Sequence, residues 1–143
     1  MQKLPSVRCV NIDWLEVYVL EPNDRFPMNA DYFRKHGYLV TEREYGTRVY
    51  KEMFTITNSD GDAMIEIRRN PASGGSSFAG LVEQSSHIRL TNWMLYQGNP
   101  VDFLRDFLLA NEYIFKRIYR IDICYDFEFF DYGDLPARFV RRY

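Results

Sequence analysis

Apolar and polar residues alternate along most of this chain, and only a few stretches carry helical spacing. The pattern predicts a sheet built largely from hairpins and backed by helices. Residues 7–20 form the first strand candidate. Val10, Ile12 and Trp14 fall on one face, and Asn11, Asp13, Leu15, Val17 and Val19 on the other; the mixed faces predict a bend, and Trp14 reads as core, with a base-stacking platform as its alternative. Residues 21–30 hold two prolines and two asparagines and read as a loop. Asp31 to Lys35 predicts a helical turn, ended by His36-Gly37 with Gly37 as its cap. Three hairpin strands follow at Tyr38–Tyr45, Arg48–Thr57 and Ala63–Arg69. Their turns fall at Gly46-Thr47 and at Asn58-Ser59-Asp60-Gly61, which ends in the Asp-Gly hairpin signal. Residues 70–80 are rich in glycine and serine and read as a loop.

Ser86 to Tyr96 predicts a further strand, with His87, Arg89, Thr91 and Trp93 on one polar and aromatic face. Asn99 and Pro100 then predict a clean helix start. The apolar stripe Val101, Phe103, Leu104, Phe107, Leu108 and Phe115 follows, with Lys116 and Arg117 closing the helix. Arg117 to Asp126 predicts a strand in which Asp122, Cys124 and Asp126 share one face and Ile121, Ile123 and Tyr125 the other. A turn at 131–134 leads to a last helix capped by Asp134. That helix holds Leu135, Phe139 and Val140, with Arg138, Arg141 and Arg142 on its far face. This order predicts an α+β fold, a mostly antiparallel sheet with helices packed on one face, as a single domain over residues 1–143.

Composition narrows the function classes. At 143 residues and 46% hydrophobic content the chain can bury a core. A net charge of −2 argues against a uniformly basic nucleic-acid coat but leaves room for a local basic groove. Cys9 and Cys124 fall inside predicted strands, where they read as small buried hydrophobes, and they form neither a zinc pattern nor a disulfide framework. A reducing cytoplasm is the expected compartment. No apolar run approaches the roughly 20 residues of a membrane span, and no membrane partner is expected. There is no phosphate-loop motif and no paired-histidine motif.

The candidate chemistry centres on Asp122 and Asp126. At i and i+4 of a straight strand they stand roughly 13 Å apart, so one shared ion needs a bulge or a third ligand. Glu66 is that third-ligand candidate; its other reading is one half of a cross-strand ion pair, with Arg68 on its own face. Arg89 and Trp93 suit a phosphate and a base. An ordinary solvated face remains the alternative for the acids, and a half-buried strand with a mixed outer face the alternative for Arg89 and Trp93.

Arg120-Ile121-Asp122-Ile123-Cys124-Tyr125-Asp126 resembles the R-[IL]-D-h-x-h-D strand of the replication initiation factor family. These are the Rep_trans-type rolling-circle initiators and related relaxases of plasmids, phages and integrative elements. Asn11-Ile12-Asp13-Trp14-Leu15 resembles that family's opening strand, and Ile88-Arg89-Leu90-Thr91-Asn92-Trp93 its middle strand. The resemblance covers the N-terminal part of the family's length. It implies a nicking domain that uses Mg²⁺ or Mn²⁺ on Asp122 and Asp126. It also implies single-stranded or hairpin origin DNA as the partner, for which Arg89, Trp93 and the clustered arginines Arg117, Arg120, Arg138, Arg141 and Arg142 are the contact candidates of this sequence. The family's nucleophilic tyrosine lies beyond the last residues of this chain, so nicking is expected only of a longer protein. A homodimer through an open sheet edge is a further expectation. A non-catalytic DNA-binding relic and a structural or protein-interaction domain are the alternatives.

Overall fold

The computed structural model describes residues 7–21, 29–44, 46–71 and 84–127. In order, these form β1 (Val7–Glu21), α1 (Ala30–His36), β2 (Leu39–Glu42), β3 (Tyr50–Thr57), β4 (Ala63–Pro71), β5 (Gln84–Leu90), α2 (Asn92–Leu95), α3 (Pro100–Ala110) and β6 (Ile114–Phe127). The strands make one sheet in the order β2-β3-β4-β5-β1-β6, antiparallel throughout. The expected α+β fold, an antiparallel sheet with a few helices, is what the chain adopts.

Two rows of aliphatic side chains explain the core. Val40, Ile56, Ile65, Leu90, Leu15 and Ile121 oppose one another across all six strands. The next row runs Phe54, Ile67, Ile88, Val17 and Ile118. Branched and aromatic residues suit a pleated surface, but an apolar row needs cover. The helices supply it through Phe33, Met94, Leu95, Leu104, Phe107 and Leu108, which join the strand residues in one buried cluster. Gly37, at φ +67°, ends α1 in the left-handed conformation that its missing Cβ permits. Asn58 builds the β3–β4 turn by accepting the amides of Asp60 and Asp62.

Beyond these rows the same face carries a buried charged pair. Arg69 forks onto Glu21, with Nε at 2.8 Å and a terminal nitrogen at 2.7 Å, while the Ser86 hydroxyl donates to Glu21 at 2.7 Å and Glu52 lies 3.5 Å from Arg69. Burial opposes the Arg69 charge, but the hydrogen bond and charge of Glu21 outweigh it and hold the guanidinium pKa above its ordinary value. Tyr113 lies beside this pair and stacks on Phe107, which ties it to α3.

Several boundaries differ from the sequence pattern. The strand expected over Ser86–Tyr96 stops at Leu90, because the Thr91 hydroxyl caps α2 by accepting the Met94 amide. Trp93 therefore lies on a helix and does not share the strand face of His87 and Arg89. The helix expected to reach Lys116 and Arg117 ends at Ala110; Phe115, Lys116 and Arg117 belong to β6. Asn99 does precede α3, but its side chain makes no capping bond. Cys9 is exposed and Cys124 partly exposed, so neither is the buried hydrophobe expected. The last helix, with Asp134, Arg138, Arg141 and Arg142, and most of the 70–80 loop lie outside the described residues.

Candidate nucleic-acid interface on the sheet

The opposite face of the same strands is built from charged and aromatic side chains. One row reads Thr41, Thr55, Glu66, Arg89, Glu16 and Arg120; the next reads Met53, Arg68, His87, Tyr18 and Arg117. Acids and guanidiniums alternate across the middle strands. The parity that creates this face is set at Asp13. Ile12 pairs with Ile123 and Trp14 with Asp122, so Asp13 is an extra residue in β1. The bulge moves Trp14 onto the polar face, together with Glu16 and Tyr18. Trp14 is thus not a core residue, because a strand read straight through Asp13 places it on the wrong side.

Trp14 lies between two guanidiniums: Arg89 is 3.5 Å and Arg120 4.2 Å from its ring centre. Guanidinium on indole is a favourable cation–π arrangement. The indole N–H donates to Glu16 at 3.2 Å. Glu16, only 4% exposed, is the hub of the face. His87 Nδ1 lies 3.1 Å from it and Arg68 3.7 Å. The His87 hydrogen bond outweighs burial, and Trp14 and Arg68 add to it, so the Glu16 carboxyl is held below its ordinary pKa. The His87 ring sits among Tyr18, Tyr50 and Tyr119, with ring centres 5.4, 5.3 and 4.5 Å away. Tyr119 reaches it because β6 carries an extra residue there: Arg120 pairs with Glu16 and Ile118 with Val17.

Glu66, half-buried, lies 3.4 Å from Arg89 and 3.9 Å from Arg43. It makes the cross-strand pair that was one of its two readings, but with Arg89; Arg68, on the same face, turns to Glu16. The Nε donors of Arg68 and Arg89 are buried and have no partner among the described residues. Arg117 lies 5.6 Å over the Tyr18 ring.

The three metal candidates are dispersed. Asp122 is clamped by Arg120 at 2.6 and 3.1 Å, a hydrogen bond that holds its carboxyl below the ordinary value. Asp126 accepts from Cys9 at 2.9 Å and from Asn11 at 3.4 Å. Four residues along a strand that is unbulged between them keep these acids roughly 13 Å apart. Glu66 stands three strands from both, roughly 14 Å across the sheet. Among the described residues no group of three His, Cys, Asp or Glu side chains converges to hold a metal ion.

Of the expected DNA contacts, Arg89, Arg117 and Arg120 do come together on one face. Trp93 lies apart on α2, and Arg138, Arg141 and Arg142 fall outside the described residues. Sequence reasoning assigned Trp14 to the core, with base stacking as its alternative, and missed Glu16, Tyr18, Arg68, Tyr50 and Tyr119 as members of this face. The alternation from Trp14 to Val19 already separates Trp14, Glu16 and Tyr18 from Leu15, Val17 and Val19; what it does not show is that the bulge at Asp13 takes Trp14 off the face of Ile12. Among the described residues no helix is long and apolar enough to cross a membrane. No family model, curated protein sequence or solved structure matches the chain, so the face is read from its own chemistry.

Proposed function

We propose that this chain is the N-terminal DNA-binding part of a rolling-circle initiator or relaxase-like protein of a mobile element, acting in the cytoplasm. Its partners in this reading are DNA, single-stranded or in a hairpin, and a second copy of the chain. The observation that carries the DNA reading is the stacking of Arg89 and Arg120 on the exposed side of the sheet around Trp14. Guanidiniums backed by aromatic rings bind phosphates and bases together, without a uniformly basic surface.

Nicking in that family uses Mg²⁺ or Mn²⁺ held by carboxylates. Asp122, Asp126 and Glu66 do not fit a single cation here, and we derive no step through one. Their dispersal favours the second reading, a non-catalytic DNA-binding or regulatory role. Fluorescence anisotropy with a short labelled single strand and a hairpin tests the proposal. The parent chain is expected to bind, and Trp14→Ala and Arg89→Ala to bind about tenfold more weakly, as loss of one stacked base or one phosphate contact implies. Absence of binding by the parent, or equal binding by both variants, overturns it. Calorimetric titration with Mn²⁺ separates the two readings, since binding lost in Asp122→Ala and Asp126→Ala restores the nicking model.

A further inference from the structure

We infer that two copies of this chain pair through Arg120–Asp126 of β6, antiparallel and centred on Ile123, so that two sheets become one. The inference rests on the second-copy partner proposed above and not on DNA binding. β6 is an edge of the sheet among the described residues, and it is by far the longer edge: β2, at the other side, spans only Leu39–Glu42. An edge strand presents unpaired amides and carbonyls to whatever strand can match them.

The part of β6 that can match is short and defined. Against β1, β6 carries extra residues at Lys116 and Tyr119, and bulges of that kind bend a strand and spoil pairing. From Arg120 to Asp126 it runs without an insertion of its own. Laid antiparallel on a second copy with Ile123 on the twofold axis, this run is self-complementary. Arg120 opposes the Asp126 of the second copy, and the symmetric pair repeats it. Ile121 opposes Tyr125, Ile123 opposes itself, and Asp122 meets the neutral Cys124. Ile121, Ile123 and Tyr125, 43%, 52% and 55% exposed, are then brought side by side.

Neighbouring registers fail on charge or on shape. Centring on Asp122 opposes that carboxylate to its own copy. Centring on Cys124 opposes Asp122 to Asp126 twice. Like charges directly opposite are destabilising. Centring on Ile121 runs the pairing into the Tyr119 bulge. The Ile123 register also has a consequence for the polar face. Arg120 lies on that face, so the two copies join their Trp14 and Arg89 surfaces into one continuous strip.

The test uses the full chain. Light scattering after gel filtration is expected to give twice the chain mass at tens of micromolar. Arg120→Asp is expected to weaken dimerisation about tenfold, because two ion pairs become two like-charge pairs, and adding Asp126→Arg is expected to restore it. Circular dichroism confirms that each variant folds. Register is read separately. In a Cys9→Ser, Cys124→Ser background, Ile123→Cys is expected to form an interchain disulfide on mild oxidation, and Ile121→Cys to form far less. A monomer at all concentrations overturns both the second-copy partner and this register. A dimer in which Ile123→Cys does not crosslink, or in which the charge swap does not rescue, overturns the register alone.

Discussion

The two faces of this sheet are made by the same strands, residue by alternate residue, yet they are held together differently. On one face Ile56, Ile65, Ile88, Leu90, Leu15 and Val17 gain nothing until a helix covers them, and α1 and α3 bring Phe33, Leu104 and Phe107 for that purpose. On the other, Glu16, Glu66, Arg68, Arg89 and Arg120 satisfy much of one another's charge in the plane of the sheet, and the aromatic rings of Trp14, Tyr18, Tyr50 and Tyr119 fill the gaps between them. The first face is a stability device. The second has no helix over it among the described residues, and it leaves Arg117 and Arg120 exposed along β6. The comparison also separates two kinds of buried charge. Glu21 and Arg69 form a forked pair on the helix side of the sheet, while Glu16 and His87 are buried among the polar and aromatic side chains of the other side.

Substitutions should divide along this line. The largest effect on stability is expected at Arg69→Ala, which leaves the Glu21 carboxylate buried without its counter-ion. Breaking one partner of such a pair costs about 3–5 kcal/mol, measurable as a shifted urea midpoint. Ile65→Ala and Ile88→Ala, both fully buried, should cost about 2–5 kcal/mol each by the same measurement. The molecules that remain folded should bind single-stranded DNA as the parent does; a tenfold loss of binding there would break the comparison.

Polar-face substitutions should do the reverse. Trp14→Ala should lower single-strand affinity about tenfold while costing less stability than either isoleucine change. Arg89→Ala should also reduce the slope of log affinity against log salt by about one, as removal of a single phosphate contact does. The smallest expected effect is on pH dependence. The Glu16 carboxyl sits below its ordinary value of 4.5 in the folded chain, so its contribution to stability is present above that pH and is lost as pH falls toward the folded value. Urea unfolding at pH 7 and in steps below 4.5 should show Glu16→Gln with a flatter acid limb than the parent. An identical acid limb would remove Glu16 as the hub of the face.

Much of the architecture was legible because strands declare themselves by period two. The turn at Asn58–Gly61, the helix start at Pro100 and the β6 strand all follow from local chemistry. What stayed hidden depends on where that period slips. Asp13 is an ordinary strand residue in the sequence, and nothing local marks it as the insertion that carries Trp14 from one face to the other. Thr91 is as compatible with a strand as with a helix cap, and only its bond to the Met94 amide decides between them. Arg89 and Arg120 were legible as candidate contacts. Their convergence on one indole was not, because it depends on β5 and β6 flanking β1. Asp122 and Asp126 were read as a pair with Glu66 as a possible third, a grouping that sheet order disperses.

In the proposed reading, ligand binding belongs to the polar face and folding to the other. The most direct measurement is an NMR titration of the isotope-labelled chain with a short oligothymidylate. The account predicts that the Trp14 indole N–H and the Arg89 and Arg120 side-chain signals shift in a saturable way, while the methyl signals of Val17, Ile65 and Ile88 stay in place. Saturable shifts confined to other surfaces, or no shift at DNA concentrations well above those of the protein, would contradict it.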